Sequence, residues 1–150
     1  MPRATKREVA AEVWQAMSTV FFASLPERAR VLADCGLTPG DFKALMELDE
    51  LEARPMRDLA DTWMCDASNV TWMVDRLEER GLVERRAHPT DRRIKTVVLT
   101  GTGAKTRREL LDRFGTPPNE LLALDRGELE QVRDVLGRLV PGSNPFSPAE

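Results

Sequence analysis

Residues 66–101 read DASNVTWMVDRLEERGLVERRAHPTDRRIKTVVLTG. Val70, Met73, Val74 and Leu77 recur at three- and four-residue steps, the repeat that gathers side chains on one helical face. Asp66 suits the N-cap of that helix and Gly81 its end, so the run predicts a helix from 66 to about 80. Ser68, Asn69, Thr71, Trp72, Asp75 and Arg76 are then left on the outward face. After Gly81 come two short β-prone stretches, 82–86 and 95–99, separated by His88-Pro89-Thr90-Asp91-Arg92-Arg93. Proline and aspartate make that separator a turn region, and the simplest structure is a hairpin with a long basic tip.

Toward the N-terminus, residues 57–63 predict a short helix with Leu59, Ala60 and Trp63 inward, joined to the first through Met64-Cys65-Asp66. Two helices linked by so short a turn form a helix-turn-helix pattern. Upstream, Thr38 can cap another helix, with Pro39 in its first turn, Asp41 at the positive dipole end, and Phe42, Leu45, Met46 and Leu48 as its buried side. Residues 8–24 place Val9, Val13, Trp14, Met17, Val20 and Phe21 on one helical face. Pro26 predicts a stop or bend there, with a second helical stretch over 27–33 ending near Gly36. Beyond the hairpin, 102–114 and 125–140 are helical, broken by Gly115-Thr116-Pro117-Pro118. Asp125 and Glu128 form a capping box, and Leu129, Val132, Leu136 and Leu139 a stripe.

The 150 residues fit one domain with appended helices, and 41% apolar against 31% charged residues supports a packed core. Two cysteines thirty positions apart and one histidine, His88, offer no disulfide framework and no metal spacing, so no metal and no cofactor is predicted. Charged residues interrupt every apolar stretch well short of membrane-spanning length, which predicts a cytoplasmic protein without a membrane partner. The net charge of -3 argues against a polyanionic partner until its distribution is read. Residues 80–108 hold nine basic side chains against Glu84 and Asp91, a balance of +7, whereas 41–66 hold eight acids against three bases, a balance of -5. A basic field confined to one segment of an acidic chain marks a surface for a polyanion. A solvated, salt-bridged face is the competing interpretation.

The segments LTPGDFKALMEL, RDLADTW, SNVTWMVDRLEERGLVERR and DRRIKTVVLTGTG, in that order, resemble the MarR family of winged-helix transcription regulators. The resemblance is strong over about half the chain. It implies a mainly α fold with a small β-hairpin wing: a winged helix-turn-helix over 37–101 and a helical dimerisation region built from 1–36 and 102–140, while the composition from Pro141 onward predicts a flexible tail over 141–150. It also implies a homodimeric, double-stranded DNA-binding regulator, a repressor by preference, acting on a pseudo-palindromic operator. Ser68, Asn69, Thr71, Trp72 and Arg76 become the candidates for the major groove, where Asn pairs with adenine and Arg with guanine. For Ser68 and Thr71, phosphate contact or helix-start hydrogen bonding competes with base reading.

In relatives the wing arginine matching Arg93 enters the minor groove and the acid matching Asp91 holds it, while Arg92 and Lys95 suit phosphates. A turn-stabilising ion pair is the alternative for Asp91 and Arg93. Thr38 and Arg57 are further phosphate candidates. The resemblance makes Val9, Val13, Met17, Phe21, Leu129, Leu136 and Leu139 candidates for a dimer interface, against a plain core role. It points to Trp14, Met17 and Phe21 for a crevice, between dimer helices and winged domain, that takes a small aromatic ligand, with a plain core stripe as the alternative. Trp72 departs from the family, since relatives often carry arginine there, and its indole can pack on a thymine methyl, on a sugar or on its own wing. Met64 and Cys65 replace the usual turn residues.

Rival functions are a winged-helix module that binds protein, and an oxidant-sensing regulator using Cys35 or Cys65. An enzyme is not predicted, because no nucleophile–base pair, paired carboxylate pocket or phosphate-cradling loop is present, and Gly101-Thr102-Gly103 lacks the rest of such a loop.

Overall fold

A computed structural model of the chain describes residues 4–139, and the tail expected over 141–150 lies outside them. Helix α1 spans Lys6–Asp34, opened by a reciprocal capping box between Thr5 and Glu8. It runs through Pro26 without ending, so the two helices expected on either side of that proline are one. An interior proline costs roughly 3 kcal/mol. Burial of Val31 and Leu32 in the core holds the segment beyond it.

Helix α2 (Pro39–Glu47) begins at the predicted Thr38 cap. Strand β1 (Arg54–Pro55) leads into α3 (Met56–Trp63), and α4 (Ala67–Glu79) follows a turn in which Met64 adopts φ 52°. Strands β2 (Val83–Ala87) and β3 (Lys95–Leu99) form the hairpin. Then come α5 (Gly101–Phe114), the short α6 (Asn119–Leu122) and α7 (Arg126–Gly137), the last opened by the Asp125–Glu128 capping box.

The sheet order is β1-β3-β2, both pairs antiparallel, with Val83 opposite Leu99 and Arg54 opposite Val97. Neither β1 nor α6 was expected. Two residues carry no period, and Pro55, which cannot donate to a ladder, is tolerated because β1 is an edge strand.

The core lies beneath the helix-turn-helix. Leu45, Leu59, Val74, Leu77, Val97 and Leu110 have no exposed surface, and they join α2, α3, α4, β3 and α5 in one cluster. Gly103 lets α5 close on the hairpin, since a β-carbon there would collide with the carbonyl oxygen of Leu82. The first half of α1 and all of α7 contribute nothing to this core. Val13, Trp14, Phe21 and Phe22 are each at least half exposed, which leaves an apolar surface on one side of the molecule.

Candidate nucleic-acid interface

The αL turn at Met64 and the Asp66 cap fix how α4 leaves α3. Asp66 Oδ1 accepts from the backbone N–H of Asn69 at 2.8 Å and from the Ser68 hydroxyl at 2.5 Å, and Oδ2 accepts from the Asn69 amide at 3.3 Å. These bonds, the one from Ser68 foremost, hold the Asp66 carboxyl below its ordinary value. Ser68 and Asn69 are therefore presented at the start of α4 by a charged anchor. Thr71 spends its hydroxyl proton on the Ala67 carbonyl at 2.9 Å, keeping only acceptor capacity outward.

Trp72 is 57% exposed, with the Arg76 guanidinium carbon 4.5 Å from its ring centroid. The sequence left Arg76 free on the outward face, but the structure turns it to the start of α2. There it pairs with Asp41 Oδ1 and donates to Thr38 Oγ1 at 3.0 Å. Asp41 is fully buried. Burial raises its proton affinity, but bonds from Arg76 and Thr38 outweigh burial and hold the carboxyl below the ordinary aspartate value. Because Arg76 keeps some exposure, removing one partner of this pair costs about 1–3 kcal/mol. Thr38 is equally committed: its hydroxyl donates to Asp41 Oδ2 and accepts from Asp41 N and Arg76, which exhausts one donor and two lone pairs. Thr38 therefore keeps no free hydroxyl for a phosphate, and the Nη2 of Arg76 is already taken.

The hairpin is tied to α4 through Arg85. Its guanidinium donates to Glu78 and Asp75, each at 2.5 Å, and to the Thr71 carbonyl at 3.3 Å. At the wing tip, Asp91 Oδ1 accepts from the backbone N–H of Arg93 at 2.9 Å. The aspartate meets Arg93 at its backbone and shapes the turn there, rather than through the ion pair weighed as the alternative.

The basic run thus divides in two. Arg80 caps the end of α1 through the Cys35 and Gly36 carbonyls, Arg107 bonds the Leu45 and Leu48 carbonyls, and Arg86 and Lys105 pair with Glu84 and Glu109. Of the nine cations in this run, Arg92, Arg93, Lys95 and Arg108 keep heads unpaired among the described residues, three of them at the wing. Arg57, at the start of α3, is exposed and lies 3.3 Å from Asp58. What sequence reasoning missed is Asp41 and Arg85 as ties, because both act across seven or more residues of chain on partners that periodicity does not reveal.

Away from this face, a cavity of about 440 Å³ lies between α1 and α7, lined by Ala10, Val13, Trp14, Met17, Leu136 and Leu139. Of the three residues named for a ligand crevice, Trp14 and Met17 line this cavity. Phe21 does not, and instead packs edge-on with Phe22. No residue of the winged segment contributes, so the cavity lies within the helical layer rather than between it and the wing. Leu129 is half-buried and Leu139 exposed. Cys35 and Cys65 are free and half-buried, and the Cys35 thiol accepts from Arg113 at 3.6 Å. His88 Nδ1 faces Thr90 within the wing. Among the described residues no group of three His, Cys, Asp or Glu is placed to hold a metal, and no helix is long and apolar enough to cross a membrane.

Comparison with known proteins places this geometry. The sequence model of the MarR family matches residues 37–95. The transcriptional repressor MprA of Escherichia coli (strain K12) is 31% identical over 127 residues, covering 77% of this chain and 69% of the relative. The HTH-type transcriptional regulator MhqR of Bacillus subtilis (strain 168) is 28% identical over 112 residues, covering 74% and 77%. Among solved structures, the transcriptional regulator Tm0710 from Thermotoga maritima superposes with a TM-score of 0.74 at 25% identity, covering 86% of this chain and 92% of that one.

Proposed function

Since the chain belongs to the MarR family, whose members are transcriptional regulators rather than enzymes, we propose that it represses transcription as a homodimer bound to a two-fold DNA operator. In this reading the N-terminal face of α4, with Ser68, Asn69, Thr71 and Trp72, enters the major groove. Arg93 enters the adjoining minor groove, and Arg92, Lys95 and Arg57 meet phosphates. The supporting observation is Arg85, a hairpin residue seated on Asp75 and the Thr71 carbonyl, which fastens the wing beside the exposed side of α4.

One reading helix and one wing tip supply few contacts, and two linked copies multiply their affinity. The exposed apolar residues Val9, Val13, Met17 and Phe21 on α1, with Leu129, Leu136 and Leu139 toward the C-terminus, are the surface assigned to that pairing. A small aromatic effector is assigned to the α1–α7 cavity beside Trp14 and Met17.

Selection from a random duplex pool tests the reading. The expected result is one enriched sequence with two half-sites about 10 bp apart, centre to centre, bound with an affinity that falls steeply with salt. An unenriched pool, or salt-independent binding, would replace this reading with a protein-binding module.

A further inference from the structure

We propose that Trp72 reads a thymine methyl group, that Arg76 is the clamp holding its indole in place, and that buried Asp41 sets this specificity from α2 without touching DNA. The inference rests on the DNA-reading role of α4 proposed above.

Three observations carry it. Trp72 is the large apolar side chain exposed on the middle of α4, one turn beyond Asn69. Of the groups that bases present in the major groove, only the thymine methyl is apolar, so an indole there discriminates by covering that methyl. Next, the ring does not stand alone, because the Arg76 guanidinium lies 4.5 Å from its centroid, within cation–π range. Finally, Arg76 is itself immobilised. Its Nη2 is shared between Thr38 Oγ1 and the Asp41 carboxylate, and Asp41 is fully buried in the α2 capping box. A guanidinium spent on a buried carboxylate, a hydroxyl and a ring face has no fork left for guanine. An arginine of this helix that sequence assigns to base reading is thereby a positioning residue. The chain of contacts runs from the α2 cap, through one cation, to the exposed ring.

The test uses the duplex that the native protein selects from a random pool, with each thymine replaced in turn by deoxyuridine, which deletes the methyl and nothing else. The native protein is expected to lose about fourfold in affinity at one position per half-site, the worth of one buried methyl group. W72A and D41N should both be indifferent to that replacement while keeping the other base preferences. The double variant D41N/R76Q leaves no buried charge and guards against simple unfolding, which circular dichroism checks, and it should show the same indifference.

A uniform loss of affinity in D41N with the methyl effect intact would make Asp41 merely structural and overturn the proposal. So would a guanine preference that vanishes in D41N/R76Q, because Arg76 would then be a reader. Absence of any deoxyuridine effect in the native protein would overturn it while leaving the regulator assignment standing. A native protein that selects no sequence would remove both.

Discussion

Arg85 on β2 and Asp75 on α4 meet at 2.5 Å, ten residues apart in the chain, and this contact joins the wing to the helix beside it. Glu78 takes the other arm of the same guanidinium at 2.5 Å. Asp75 is thereby neutralised on a face otherwise suited to a polyanion.

Replacing Arg85 with Ala should loosen the wing without unfolding the protein. Both carboxylates are more than a third exposed, so the stability loss is expected at about 1 kcal/mol. Affinity for the selected duplex should fall by about tenfold, the worth of one base contact. Chemical denaturation and fluorescence anisotropy separate the two effects, and equal DNA affinity in both proteins would show that the tie does not matter for binding.

The wing offers a finer comparison. Arg93 has an unpaired head, and R93A should weaken binding to the selected duplex and lower the salt slope by about one while leaving the melting temperature unchanged. Because Asp91 accepts from the Arg93 backbone N–H, D91N keeps that bond and should bind almost as the native protein does, whereas D91A should not. A D91N protein as weak as D91A would restore the ion pair as the role of Asp91.

Asp41 also imposes a pH dependence. Its carboxyl titrates below the ordinary value in the folded chain, so the stabilisation is complete above the unfolded-state value, about 3.9, and is lost as pH falls through the lower folded value. D41N should be less stable than the native protein at neutral pH by about 1–3 kcal/mol. That gap should close below about pH 4. Denaturation curves at several pH values check this, and a gap independent of pH would mean the carboxylate charge is not what stabilises.

Val13 is half exposed on α1 beside Trp14 and Met17. Analytical ultracentrifugation of the native protein should give twice the chain mass of 16.9 kDa. V13D, which places a charge in that stripe, should shift the population to monomer while leaving the winged core folded. A native monomer at micromolar concentration would remove the two-fold operator from the account.

Much of the fold was legible because its causes are local. Val70, Val74 and Leu77 recur at helical spacing, Thr38–Asp41 and Asp125–Glu128 are caps three residues apart, and the 88–93 turn declares itself by composition. What escaped depends on distant partners. Strand β1 exists only through its pairing with β3. Pro26 sits inside α1 because Val31 and Leu32 are buried in a core assembled elsewhere. Arg76 looked like an outward cation until Asp41, thirty-five residues earlier, took it up. The same applies to the basic run, whose charge was countable but whose free members were not.

The central claim is that the exposed side of α4 and the wing tip engage adjoining grooves of one duplex. Its most direct measurement is DNA cleavage by an iron chelate tethered to a single cysteine, placed at Asn69 or at Arg92 in a protein with Cys35 and Cys65 changed to Ala. The account predicts cuts from both positions within the same half-site, major-groove in pattern from N69C and minor-groove from R92C. Cuts from one position alone, or from the two at unrelated places along the duplex, would contradict it.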